Sequence, residues 1–152
     1  MDRFQILPHL AALGAAYALA LPIARDREKE GRSAGLRTFP LVAISACGFI
    51  QAAEAMLSNS PEGLARIVEG VITGIGFIGG GAILKTGASV HGTATAASLW
   101  ATGAVGAAVA LGAYDDAVVI AAMTFLTLKV ITPLKQEGGP PLAPGANQEE
   151  KA

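Results

Sequence analysis

Five intervals of this 152-residue chain carry no Asp, Glu, Lys or Arg: residues 4–24, 38–53, 70–84, 86–114 and 117–128. A helix needs about 20 apolar residues, within a range of roughly 17–25, to cross the hydrocarbon core of a bilayer. No water is available there to bond peptide groups, so the backbone must satisfy itself, which a helix does within one segment. Extended into their flanks, the intervals predict five membrane-spanning helices near residues 4–24, 37–57, 66–84, 93–112 and 115–132. Overall charge agrees: 15% of residues are charged, where a soluble domain carries about 25%. The expected fold class is all-α, a polytopic membrane helix bundle of about five transmembrane helices filling residues 1–135. Residues 136–152 contain Gly138-Gly139-Pro140-Pro141 and Pro144-Gly145; that composition reads as a disordered cytoplasmic tail.

Lysine and arginine orient the bundle. The first connection holds Arg25, Arg27, Lys29, Arg32 and Arg37, and alternate threading puts Lys85, Lys129 and Lys135 on the same side. Only Arg3 and Arg66 fall opposite. By the positive-inside rule the amino terminus is expected outside and the carboxyl terminus in the cytoplasm. The first helix reads as a retained span, because Asp2 offsets Arg3 before it and the basic cluster follows it. Cys47, the single cysteine, falls mid-helix and is expected as a small packed core residue.

The third span contains Gly74-Ile75-Gly76-Phe77-Ile78-Gly79-Gly80-Gly81. Glycine costs a helix roughly 1 kcal/mol in water relative to alanine, whereas in lipid small residues let two backbones approach closely. Gly70 and Gly74, and Gly76 and Gly80, are each four apart and form small-xxx-small pairs. With Gly79 they are expected to pack against Gly103, Ala107 and the other small residues of the fourth helix. A nucleotide loop is excluded: neither G-x-G-x-x-G between strand and helix nor G-x-x-x-x-G-K-[ST] is present.

Three strings in order resemble the MgtC/SapB family of bacterial inner-membrane proteins: Ala34-Gly35-Leu36-Arg37-Thr38, then Gly74-Ile75-Gly76-Phe77-Ile78-Gly79, then Val90-His91-Gly92 with Thr95-Ala96-Ala97-Ser98-Leu99-Trp100. The likeness covers about residues 24–111 and is closer to the short SapB-like members, without a soluble carboxyl-terminal domain. It implies four or five spans, a multi-pass place in the bacterial inner (cytoplasmic) membrane and a role linked to magnesium limitation. The member that names the family is associated with survival inside macrophages and restraint of the F-type ATP synthase, and is not itself the neighbouring magnesium pump. This chain departs from the pattern at Asp26, where glutamate is usual, at Ala94, where Thr or Asn is, and at Gly70, where glutamine is frequent.

Three groups of residues are candidate sites. Asp26, Arg27, Glu28, Arg37 and Thr38 meet at the cytoplasmic ends of the first two helices, where Asp26 or Glu28 paired with Arg37 would clamp the hairpin; the alternative is solvated topology charges worth about 0–1 kcal/mol a pair. Thr93 and Thr95 join this cluster, with Thr93 the expected helix N-cap and Thr95 and Ser98 able to bond across to the glycine-rich helix. His91 is either a cytoplasmic pH sensor or a solvated loop residue, and Trp100 is expected to pack against glycine. Glu54, Glu69, Asp115 and Asp116 gather at the outer face as a possible cation site, since magnesium takes oxygen ligands and keeps several waters; the alternative is an ordinary acidic outer surface.

No nucleophile–base pair or metal-ligand spacing points to an enzyme, and the short, acid-interrupted basic cluster does not fit nucleic acid. No cofactor is expected, with Mg2+ conceivable only as ligand or substrate. Two functions stand: a regulator or adaptor in magnesium homeostasis or stress adaptation, acting through helix contacts with a membrane partner such as the F-type ATP synthase; or a small oligomeric ion transporter or channel for magnesium or another cation. A homo-oligomer is compatible with both.

Overall fold

A computed structural model describes residues 6–32, 34–57, 59–86 and 89–136. Five helices follow one another: α1 (Ile6–Lys29), α2 (Thr38–Leu57), α3 (Pro61–Gly81), α4 (Thr93–Ala110) and α5 (Tyr114–Gln136). Between α3 and α4 lies a hairpin of β1 (Leu84–Thr86) and β2 (Ser89–His91), paired antiparallel with Lys85 opposite Val90. Among the described residues, α1 to α4 are long and apolar enough to cross a membrane. The carboxyl-terminal tail expected over residues 136–152 lies, beyond Gln136, outside the described residues.

The helix ends depart from the expected spans for identifiable reasons. α1 has 24 residues, about 36 Å at 1.5 Å each, against a hydrocarbon core of about 30 Å; it therefore continues past the lipid limit through its basic residues. It closes at Gly31 (φ 63°), with Arg32 N–H donating to the Arg27 carbonyl and Gly31 N–H to that of Glu28. This is the paired bonding of a Schellman cap, which needs the left-handed conformation that glycine adopts freely. Gly112 (φ 75°) ends α4 the same way, with Ala113 bonding to Ala108 and Gly112 to Val109. α3 begins at Pro61, five residues before the expected start, because the Ser60 Oγ accepts from Gly63 N–H at 3.2 Å and Pro61 occupies the first turn. It stops at Gly81, where the hairpin takes over.

α4 is the hub. It packs against α1, α2, α3 and α5 and buries Thr95, Ser98, Leu99, Thr102, Gly103, Val105, Gly106 and Val109. One core cluster joins Ala12, Ala16 and Ala20 of α1 to Ala43 and Cys47 of α2, Val105 and Val109 of α4 and Ala117 and Ala121 of α5. Cys47 is thus a buried packing residue, as expected. A second cluster, nearer the α1–α2 turn, centres on Ile23, Phe39, Ile75, Leu99 and Leu128. Lipid tails are as apolar as these side chains, so close van der Waals fit rather than water exclusion holds such helices together. An alanine-lined interior suits that mechanism, because it lets backbones approach.

α3 is the exception. It packs against α4 and α2, but only Ile75 and Gly79 of its 21 residues are buried.

Candidate functional site

Polar and small residues collect in four places, and the structure separates several that the sequence grouped. At the α1–α2 turn, Arg27 is 1% exposed and its Nε donates to Asp26 Oδ2 at 3.1 Å, with Nη2 on the same oxygen. Glu28 turns instead to the backbone: its Oε2 accepts from Leu36 N–H at 3.0 Å and crowds Gly35, where a Cβ would overlap it. The hairpin is therefore clamped by a carboxylate on a peptide N–H, not by the expected pairing of Asp26 or Glu28 with Arg37. Among the described residues the ion pairs are Asp26–Arg27 and Glu30–Arg32; Arg37 is exposed and Thr38 half-buried at the start of α2.

At the start of α4 the capping expectation is corrected. Gly92 (φ 88°) is the N-cap and no side chain caps the helix, so Thr93 is the first helical residue, exposed. A left-handed residue leads the chain out of the hairpin, and its position is too tight for a side chain: a Cβ there would overlap the Ala82 carbonyl. Thr95 is buried, yet Ser98 does not bond across to α3; its Oγ donates to the Thr95 carbonyl at 2.9 Å, and Thr102 donates to that of Ser98 at 2.8 Å. These hydroxyls satisfy themselves inside their own helix, a common device in apolar surroundings. Trp100 points outward, 53% exposed, rather than onto glycine.

The small residues of α3 divide by face. Gly79 lies on α4, where a Cβ would stand 3.2 Å from the Ala96 carbonyl oxygen. Gly103 receives Ile75, whose side chain fills the place of a Cβ, and Gly106 lies against the α2 backbone at Ala43. Ala107 is half-buried. At Gly70, Gly74, Gly76 and Gly80 an added Cβ would meet nothing within 4 Å. The α3–α4 seam therefore runs through Ile75 and Gly79, and those four glycines are not part of it. Gly70 and Gly74 instead line a groove of about 780 Å³ between α2 and α3, walled by Leu41, Phe49, Met56, Ile67 and Ile78, with Arg66 among its lining.

At the other end of the bundle the four carboxylates proposed as a cation site do not converge; among the described residues no three of His, Cys, Asp or Glu could hold a metal together. Glu54 lines a recess of about 380 Å³ with Gln51, and Glu69 lines a different one beside Leu111. Asp115 and Asp116 sit exposed in the first turn of α5, where they complement the helix dipole. The Glu54 recess also takes in His9 of α1 and Tyr114 of α5, two residues that sequence reasoning left aside. The only signal for them is topological: the start of α1, the end of α2 and the start of α5 must share one side when helices alternate.

This arrangement of five helices, with a buried arginine paired to a half-buried aspartate at the first turn and a glycine-rich third helix, can be set beside known proteins. The family model described as the MgtC family matches residues 13–137. The chain belongs to the MgtC family. It is 37% identical over 116 residues to Protein MgtC of Salmonella typhimurium, covering 76% of this chain and 49% of that protein. It is 38% identical over 125 residues to an uncharacterized protein of Synechocystis, covering 82% and 53%, and 36% identical over 131 residues to Protein MgtC of Brucella abortus, covering 86% and 54%. The chain spans about half the length of the curated relatives it matches. No solved structure matches it. Family and fold together make it a membrane protein with several apolar helices.

Proposed function

We propose that this MgtC-family chain is a regulator or adaptor of the bacterial inner membrane, acting in magnesium homeostasis or stress adaptation by docking a membrane-protein partner on α3. One observation carries the reading: α3 buries only Ile75 and Gly79, while Gly76 and Gly80 lie open one turn apart with Phe77 exposed beside them. Small residues one turn apart admit a partner helix to close backbone approach. The α1–α2 turn, with its arginines and lysine, faces the cytoplasm in this account, and the Glu54 recess faces outward. The resemblance to the family makes the F-type ATP synthase the first partner to test.

A transporter or channel for magnesium or another cation is the competing reading, and the His9–Gln51–Glu54–Tyr114 recess is the observation in its favour. Against it, the hydroxyls of Ser98 and Thr102, buried in α4, donate to carbonyls of their own helix, and among the described residues no three of His, Cys, Asp or Glu could hold a metal together. A photo-crosslinking residue placed at Phe77 in native membranes, with Met123 of α5 as control, separates the readings. The adaptor predicts one defined membrane protein captured from Phe77 and not from Met123. Capture of lipid or of a second copy alone, together with magnesium flux in proteoliposomes that Glu54→Gln abolishes, would overturn it.

A further inference from the structure

The α2–α3 groove has a charged mouth and an apolar body, and that combination selects an occupant. Arg66 lies five residues inside α3, about 7 Å below its first residue. α3 has 21 residues, about 31 Å, which matches the hydrocarbon core of about 30 Å. The guanidinium is therefore rooted inside the span and must reach up to the headgroup level to stay solvated. Glu62 and Glu69, one turn to either side, make no ion pair with it among the described residues. An arginine so placed has no ion pair among the described residues, and its planar fork of donors fits a lipid phosphate.

Below Arg66 the wall turns apolar. From Arg66 to Ile78 the α3 lining runs 12 residues, about 18 Å, long enough to take an extended acyl chain from the level of Arg66 down. The volume, about 780 Å³, falls in the usual range for small-molecule sites, roughly 300–1,000 Å³. The floor is open because Gly70 and Gly74 carry no side chain and nothing else reaches that space.

We infer that this groove is a binding site for one glycerophospholipid, with its phosphate on Arg66 and an acyl chain lying along Gly70 and Gly74 between Phe49 and Ile78. The site is separate from the docking face proposed above. At 3.6 residues per turn Gly76 and Gly80 lie about a third of a turn around α3 from Gly70 and Gly74, so either idea fails without the other. The occupied groove also gives α3, which buries so little of itself, a second set of packing contacts on its α2 side.

The test is native mass spectrometry of the full chain, reconstituted in vesicles of phosphatidylethanolamine and phosphatidylglycerol and then extracted into mild detergent. The expected result is one phospholipid retained per chain. Gly74→Leu, which fills open space, should cut retention about tenfold or more with helix content and elution volume unchanged. Arg66→Gln should weaken it and Arg66→Lys should restore part. Retention that none of these substitutions alters, or no retained lipid in the wild-type chain, overturns the site. So does a second copy in the groove, read as a disulfide between chains through Phe49→Cys in a Cys47→Ala background with lipid excluded.

Discussion

α3 and α4 are both apolar helices rich in glycine and alanine, and they behave in opposite ways. α4 packs against four helices and buries eight residues; α3 packs against two and buries two. The difference is in what stands opposite each glycine. Gly103 has Ile75 and Gly106 has the Ala43 backbone, whereas Gly70, Gly74, Gly76 and Gly80 have no neighbour within reach. Small residues permit close approach but do not cause it. In lipid, where no water drives apolar faces together, a glycine stripe becomes an interface only where a complementary shape meets it.

Substitutions across the two helices should sharpen this contrast. The largest effect is expected at Gly106, where a Cβ would run into main-chain atoms of α2 that no rotamer can move. Gly106→Ala should cost about 3 kcal/mol, read as an earlier midpoint when unfolding in mixed micelles is followed by circular dichroism. Next comes Asp26→Asn, which leaves the buried Arg27 guanidinium without its charge partner. Breaking a buried pair from one side costs about 3–5 kcal/mol, and the partial exposure of Asp26 places this change at about 2 kcal/mol in the same assay.

Gly103→Ala is milder, because the atom in the way is the end of a flexible side chain. It should cost about 1 kcal/mol, and Ile75→Val should recover part of the loss; a double-mutant cycle giving purely additive effects would show that the two do not touch. The smallest effect is expected on α3 itself. Gly76→Ala and Gly80→Ala should leave the unfolding midpoint within about 0.5 kcal/mol of the wild type. A loss as large as that of Gly106→Ala would put those glycines in the core and erase the contrast.

Much of the architecture was legible. The charge-free intervals marked all five helices, and among the described residues α1 to α4, though not α5, have the length and composition that lipid imposes. The ends were less legible, since hydropathy finds the lipid boundary and not the last hydrogen bond: α1 runs on through its charges to Lys29. Ser60-Pro61 and Gly31 were readable capping signals that an apolar window passes over. The hairpin around Lys85 and Val90 was missed because each strand is only three residues long. Of the site, the polar residues at the first turn were identified, but their partners were not, since whether Glu28 bonds Arg37 or a peptide N–H depends on the path of the loop. The burial of α3 was illegible for another reason: its charges, Glu62, Arg66 and Glu69, all lie in its first half, and the run from Gly74 to Gly81, only glycine and apolar residues, does not reveal which face meets the bundle.

The most direct test is cysteine pairing in native membranes, in a Cys47→Ala background. Ile75→Cys with Gly103→Cys should form an intrachain disulfide readily under mild oxidation, whereas Gly74→Cys with Gly103→Cys should not. Equal crosslinking of the two pairs, or crosslinking only through Gly74, would mean that α3 presents its glycine stripe to α4 and that the account of an open third helix is wrong.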